Sequence, residues 1–528
     1  MLSTRKTAVL IFIALSYLFF RGIGDHGLLD PLEGVNASIA LNMATRKDFV
    51  VPRVESFHYL GTALGFWWLS ALSLWIFGWL DFSMRFWPVI GGLGMTAASW
   101  FIMRRTCGDR AANYAAVMTG TSLLTYVTSQ LASPHTLYVC CTTSALAGIV
   151  YGFRDRRFFL LLHGGSLGAF IVYGPAGVIL PWLSFLIYAY IADQDRFFLR
   201  ALLYWPGVLA TLLLGGGYVM LLHAENPTIL ALMRHNLPSV AFGSFSSALL
   251  VLSAGFFPWL GVFPEALRNA LPNNWNFVLP VERQNVLLLV WAAVFSFFGL
   301  FSGDALLLLA PLPAFISLCA SHLAKAVEKN DVRLFQRMVV VEILLFLPFL
   351  FVEVPWIYFA GGREAQSTLM SVIPWVSFCL LFLFAGWNYA KRRRPRKLML
   401  SLCLSSLFAL LPLAGVFDLL AQSASIRDIG LYLRSGSRRG DILVQYVMNH
   451  PSLHFYTTRE SLLLYSSPLP GVVGQKTVDN SHLEQLWEDR KRVFLIIRRH
   501  QNFLAPLPAE VHNAHETRDL LVLSNSRD

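Results

Sequence analysis

Charge is scarce in this chain: Asp, Glu, Lys and Arg make up only 14% of its 528 residues, against about 25% in an ordinary soluble domain. With 55% apolar and 14% aromatic residues, that shortage excludes a water-soluble enzyme, and long uncharged apolar runs exclude a disordered or collagenous chain. Cysteine is equally sparse. The six that occur (Cys107, Cys140, Cys141, Cys319, Cys379 and Cys403) lie in or beside apolar segments, with no CxxC or Cys/His spacing. They read as small buried hydrophobes and support neither a disulfide framework nor a zinc site. P-loop, GxGxxG and solenoid repeats are absent too, and Gly215-Gly216-Gly217, inside an apolar run, reads as helix packing rather than a phosphate cradle. What is left is a polytopic membrane protein.

The few charges orient it. The formal net charge is +11; the stretch after residue 416 holds 13 basic and 12 acidic residues, leaving 29 basic and 19 acidic residues before it. Such an excess belongs to cytoplasmic loops facing an anionic leaflet, and nucleic acid need not be invoked. We place Arg5/Lys6, Arg104/Arg105/Arg110, Arg154/Arg156/Arg157, Arg196/Arg200, Lys325/Lys329/Arg333/Arg337 and the run from Lys391 to Lys397 on that side. About thirteen helices result, with the N-terminus cytoplasmic and the tail outside. Residues 7–23 read as an uncleaved first span, because no small-x-small site follows them. The run 61–79 breaks the parity if it crosses, since Arg104 and Arg105 then land outside. It carries Trp67, Trp68, Trp75 and Trp79, so an interfacial helix is predicted there.

The sequence thus predicts a mainly α transmembrane domain over 1–416, with an outer first loop at 24–83, and a small extracytoplasmic α/β domain over 417–528. In that tail, apolar β-rich runs (Asp441 to Val447, Leu462 to Ser466, Val493 to Ile497, Leu520 to Leu523) alternate with helical patterns (Ser425 to Leu433, Ser481 to Arg490).

Polar residues gather on the outer side, in 24–60, in the Ser133-Pro134-His135 turn and in 223–245. The first loop reads Gly24-Asp25-His26-Gly27-Leu28-Leu29-Asp30-Pro31-Leu32-Glu33-Gly34-Val35-Asn36. Two carboxylates three residues apart at the start of a helix suit a base and a ligand, or a paired acid and base. They equally suit a turn begun by Asp30 before Pro31, with Glu33 against the dipole of the following helix.

The stretch from Gly24 to Gly78 resembles the C-type, polyprenyl-phosphate-dependent membrane glycosyltransferases, nearest the lipid A aminoarabinose transferases and the protein-mannosyltransferase-like enzymes. The likeness rests on the loop acidic pair, Val50-Val51-Pro52 after Asp48-Phe49, and the Trp-rich helix ending Trp75-Ile76-Phe77-Gly78. Later stretches agree: Arg234-His235-Asn236 before Gly255-Phe256-Phe257-Pro258-Trp259, then Leu453-His454-Phe455-Tyr456-Thr457-Thr458-Arg459 followed by Leu469 to Gly474.

The resemblance implies an enzyme of the bacterial inner membrane that takes a sugar from a polyprenyl phosphate and gives it to a lipid or protein acceptor. It implies Asp30 and Glu33 as catalytic residues, with Arg53, His58, Tyr59, His135, Arg234 and His235 binding substrate. A divalent metal is a candidate cofactor, held by Glu33 and His235. Several cations and acids of the family pattern are replaced. Its Pro-Asp-Glu-x-Arg-Tyr loop has Leu32, Val35 and Asn36 at the Asp, Arg and Tyr positions, and its Phe-Glu-Lys-Pro becomes Phe57-His58-Tyr59-Leu60-Gly61. Ser133-Pro134 stands for Asp-Pro, Pro238 for an Arg, and Gly303-Asp304-Ala305-Leu306 for a Lys-Leu-Pro stretch. A second reading is therefore a non-catalytic relative that binds the lipid carrier or a partner transferase. A third is a transporter or flippase, for which Glu342 and Glu353 are the clearest intramembrane charges.

Overall fold

Where lipid offers no partner for backbone amides, an apolar run satisfies them within itself as helix. The computed structural model shows this along the chain; it describes residues 4–61, 64–225, 245–271, 280–302, 304–341, 343–344, 374, 376–438, 440–475, 477–478, 480–488, 491–499 and 511–526. Arg234, His235, Pro238, Gly303, Glu342 and Glu353 lie outside the described residues. Two compact units form, one from 1–21 and 87–415, the other from 22–86 and 416–528.

The first unit is helical. Among the described residues, five helices are long and apolar enough to cross a membrane: Asp81–Cys107, Trp205–Ala224, Glu282–Phe301, Ala305–Lys329 and Pro395–Ala424. Some of these extend into the second unit. A sixth is a pair, Ala248–Gly255 and Trp259–Ala270, bent by 92°. Small residues let the shorter helices approach. A Cβ on Gly165 in Phe159–Tyr173 would lie 2.6 Å from the Cys141 carbonyl oxygen in His135–Gly152, so any side chain there would separate the two backbones.

The second unit joins the first loop to the tail. The helix Leu32–Arg46 leads to a short ribbon, Arg53–Val54 against Phe57–Tyr59, which Val472–Val473 extends to three strands. The Trp-rich helix Leu64–Phe77 is 14 residues long, roughly 21 Å at about 1.5 Å per residue, short of the roughly 30 Å hydrocarbon thickness. Three of its indoles hydrogen-bond the first loop: Trp67 to Asn36 Oδ1 (2.8 Å), Trp68 to the Phe49 carbonyl (2.7 Å) and Trp75 to the Ala44 carbonyl (3.1 Å).

The tail holds a six-stranded sheet in the order Thr477–Val478, Ser461–Leu464, Ile442–Tyr446, Val493–Arg498, Leu520–Ser524, His512–Glu516. The first four strands run parallel and the last two pair antiparallel. Val444, Leu464, Leu495 and Leu523 on the sheet pack with Leu483 and Trp487 of the helix Asn480–Glu488, and burying each such aliphatic side chain contributes roughly 1.5–3 kcal/mol.

Candidate functional site

Each unit carries its own cluster of polar groups. In the second unit, the first-loop carboxylates both have partners. Arg85 Nε donates to Glu33 Oε1 (2.9 Å) and Nη2 to Oε2 (2.7 Å), and the Leu29 amide adds a 2.7 Å bond to Oε2. The remaining guanidinium donors reach the carbonyls of Ile23 (2.9 Å), His26 (2.8 Å) and Gly27 (2.9 Å). All five donors of Arg85 are thus matched, and neither side chain of the pair is exposed (0%/0%). The arrangement fastens the loop backbone from Ile23 to Glu33.

Asp30, with its side chain 2% exposed, faces elsewhere. Its carboxylate accepts from the Ser452 amide (3.1 Å), from the Ser452 hydroxyl and from His450 Nδ1 (3.1 Å). The Ser452 amide opens the helix Ser452–Thr457, where a carboxylate satisfies an amide without a partner inside the helix. Gly34 has to be glycine beside it, because a Cβ there would strike the Asp30 carboxylate and lie 2.6 Å from the Ser452 nitrogen. The structure therefore gives Asp30 and Glu33 separate sets of partners.

Further bonds explain the tail stretch from Leu453 to Arg459. The Tyr456 hydroxyl donates to Asp81 Oδ1 (2.6 Å) and accepts from the Leu28 amide (2.9 Å). Arg427 pairs with Asp81 Oδ2 (3.3 Å) and donates to the Asp25 carbonyl (2.8 Å). His454 Nδ1 meets the Ser38 hydroxyl at 2.9 Å; burial, reinforced by Arg46, pushes this imidazole down to about 4, which keeps it neutral at physiological pH.

Glu55 lies in the same network. Its Oε1 accepts from the Ser461 amide (3.2 Å) and hydroxyl (2.9 Å), while Oε2 is buried without a hydrogen-bond partner among the described residues. Burial raises this carboxyl to about 7, with the Ser461 bonds opposing the shift. A folded-state value above the ordinary 4.5 means that the folded state holds its proton more tightly. Its contribution to stability is complete below about pH 4.5 and is lost as pH rises through about 7, for a total of roughly 3 kcal/mol. Glu55→Gln is expected to raise the apparent unfolding temperature at pH 8 and to flatten its decline between pH 5 and pH 8, as read by intrinsic fluorescence in detergent.

The ribbon places Arg53 directly opposite His58, so their side chains share one face. Arg53 is 3.7 Å from Asp48 and partly exposed, and His58 is exposed. Neighbouring Tyr59 packs edge-on against Trp67 with ring centres 5.8 Å apart, and burial pushes its phenol up.

The first unit brings His135 to a partner far along the chain. His135 Nε2 lies 2.8 Å from Asp304 Oδ2, to which the Tyr173 hydroxyl also donates at 2.7 Å. The Leu306 amide holds Oδ1 at 3.0 Å. Burial works to raise the Asp304 carboxyl, but adjacent His135 and these hydrogen bonds prevail and hold it at about 2. Whenever the ring carries a single proton, the carboxylate at Nε2 favours that proton on Nε2 and leaves the lone pair on Nδ1. His135 Nδ1 and the Tyr138 hydroxyl are both buried without a hydrogen-bond partner among the described residues; the Tyr138 and Tyr173 rings pack at 4.8 Å.

Of the residues singled out from sequence, the structure pairs Arg53 with His58, separates Asp30 from Glu33, and gives His135 a carboxylate. Sequence reasoning missed Arg85, Asp81, Tyr173 and the role of Asp304. Arg85 carried a usable signal as a lone guanidinium in an apolar run. Among the described residues no group of three or more His, Cys, Asp or Glu side chains is arranged to hold a metal ion. A cation at Glu33 would have to displace Arg85, so the described part of that ligand set does not fit a metal.

No family model matches the chain. It is 26% identical over 424 residues, 74% of its own length and 73% of the relative's, to the undecaprenyl phosphate-alpha-4-amino-4-deoxy-L-arabinose arabinosyl transferase of Pectobacterium carotovorum. In fold it is similar to ArnT from Cupriavidus metallidurans, solved bound to undecaprenyl phosphate, with a TM-score of 0.82 at 18% identity over 98% of both chains. The Archaeoglobus fulgidus oligosaccharyltransferase is more distant, with a TM-score of 0.52 at 12% identity, covering 94% of this chain and 69% of that one.

Proposed function

We propose that this chain, related in sequence and alike in fold to the C-type membrane glycosyltransferases, moves a sugar from a polyprenyl phosphate to a lipid acceptor of the lipid A type at the outer face of the bacterial inner membrane. The observation that carries this reading is the end-to-end likeness to ArnT, over 98% of both chains. The relative's name carries 4-amino-4-deoxy-L-arabinose, which makes that sugar the first donor to test.

In the reaction, an acceptor oxygen forms a bond to the anomeric carbon as the bond from that carbon to the phosphate oxygen breaks. The acceptor proton leaves to a base, and the polyprenyl phosphate departs as an anion. His135 is our candidate base, because its Nδ1 has no hydrogen-bond partner among the described residues and Asp304 at Nε2 favours the tautomer that leaves the lone pair on Nδ1. Asp304 and Tyr173 act as positioning residues. Arg53 and His58, side by side on the ribbon, are candidates to meet the phosphate. Asp30 and Glu33 support the reaction by fixing the first loop, and no step is routed through a metal. About thirteen spans, a cytoplasmic N-terminus and a periplasmic tail complete the reading, supported by the basic clusters on alternate loops.

The full chain, reconstituted with undecaprenyl phosphate aminoarabinose and lipid A, is expected to yield modified lipid A, detected by mass shift. The engaged carboxylates of Asp30 and Glu33 favour one other reading, a relative that has lost catalysis and binds the carrier or a partner transferase. Saturable carrier binding without turnover selects that reading; absence of both binding and turnover rejects both.

A further inference from the structure

The helix Leu312–Lys329 ends in a set of polar residues that the sugar-transfer reading does not use. His322, Lys325 and Lys329 lie three, then four residues apart, which puts them on one helical face. They line a cavity of about 350 Å³, together with Asn269 from Phe263–Ala270, Asn285 from Pro280–Phe301, and Asp331. That volume falls in the range of roughly 300–1,000 Å³ typical of small-molecule sites. The cavity is remote from His135 and Asp304. Asp304 immediately precedes the apolar stretch Ala305–Lys329, and the cavity is lined by the second half of that stretch, from Leu318 onward, so its nearest lining residue on that stretch is roughly 20 Å away along a helix.

Its charge balance favours an anion. Neither Lys325 nor Lys329 forms an ion pair among the described residues. The acids nearby are already engaged. Glu265 pairs with Arg337 at 2.6 Å and lies 3.7 Å from His322 Nε2. Asp331 accepts the Leu334 amide at 3.2 Å, starting the next helix after the chain reverses through Asn330 at φ 53°. Asn269 Nδ2 meets His322 Nδ1 at 3.1 Å, so two ammonium groups, the Asn285 amide and the second N–H of Asn269 remain as donors. Ammonium groups and amides are the groups that share the oxygens of a phosphate, and apolar Leu318, Ala266 and Ala326 provide a surface for a glycerol or acyl stem.

We propose that this cavity binds a phosphate-bearing ligand, either the headgroup of an anionic lipid or a free phosphate ester, at the end of the bundle opposite His135. The inference does not depend on sugar transfer. Its test uses the full chain in detergent and isothermal titration calorimetry with two probes, dihexanoyl phosphatidylglycerol and inorganic phosphate. Saturable binding of the lipid alone identifies a headgroup site, and binding of both probes in competition identifies a site for phosphate itself. In either case Lys325→Gln/Lys329→Gln is expected to weaken binding at least about tenfold, while Lys325→Arg/Lys329→Arg keeps it within about threefold. Both lysines are exposed, so these variants leave the packed core untouched. Unchanged affinity in the Gln variant, or no saturable binding of either probe to the unaltered protein, overturns the proposal.

Discussion

Arg85→Ala, in the helix Asp81–Cys107, is expected to be the single substitution most damaging to the first loop. Removing one partner of a buried ion pair leaves an uncompensated charge and costs roughly 3–5 kcal/mol; Glu33 has no exposure with which to recover hydration. The same change also strips hydrogen bonds from the carbonyls of Ile23, His26 and Gly27, each costing about 1–3 kcal/mol if it stays buried. Glu33→Gln should do less harm, because Arg85 keeps those three carbonyls and one amide oxygen. A double replacement, Arg85→Met/Glu33→Met, removes the stranded charge but not the carbonyl penalty. It should fall between the single variants rather than restore the parent. The exposed pair Arg104–Asp109, 38% and 41% accessible, serves as a control, and Arg104→Ala should cost less than about 1 kcal/mol. The check is the thermal midpoint of the full chain, with limited proteolysis of residues 22–36. Equal midpoints for Arg85→Ala and Arg104→Ala would refute the assigned role of Arg85.

Arg85 also shows where the sequence ceases to be legible. Asp30 and Glu33 stand out within one loop, but the guanidinium that defines Glu33 comes 52 residues later, inside a run that otherwise reads as lipid-facing. Local pattern announces a charge, whereas burial and pairing decide what it does. The same holds for the tail. Its four apolar β-rich runs are four of the six strands, since period and β-branched content act locally. The two strands not foreseen, Thr477–Val478 and His512–Glu516, are the sheet's edges, where polar residues are usual and apolar alternation is absent. Tyr456 and His454 were visible only as part of a resemblance. Their work is done on Asp81, 375 residues away, and Ser38, 416 residues away. Helix breaks such as the 92° bend before Trp259 likewise depend on packing, so hydropathy marks apolar segments more securely than it counts crossings.

Asp304 illustrates the same limit in the first unit and leads to the second large effect. By pattern it marks a lost lysine; in space its carboxylate meets His135, 169 residues away in the chain. If His135 Nδ1 removes the acceptor proton, His135→Ala should lower kcat by about 10²–10⁴-fold, the usual worth of a positioned base, with KM within about threefold. Asp304→Asn should lower kcat almost as far, because a carboxamide no longer requires the Nε2 proton and its own N–H can face the ring, moving the lone pair to the wrong nitrogen. Tyr173→Phe deletes one of several bonds to that carboxylate and should cost less than about tenfold. Lost packing would also lower activity, so the deciding measurement is rescue. Added imidazole should restore turnover to His135→Ala, where it occupies the vacated space, and should leave Asp304→Asn unchanged, since that variant keeps its ring. A His135→Ala protein that transfers sugar at the parent rate, or an inactive one that imidazole fails to revive while its thermal midpoint is intact, removes His135 from the chemistry and leaves Asp304, Tyr173 and His135 as a structural tie between helices.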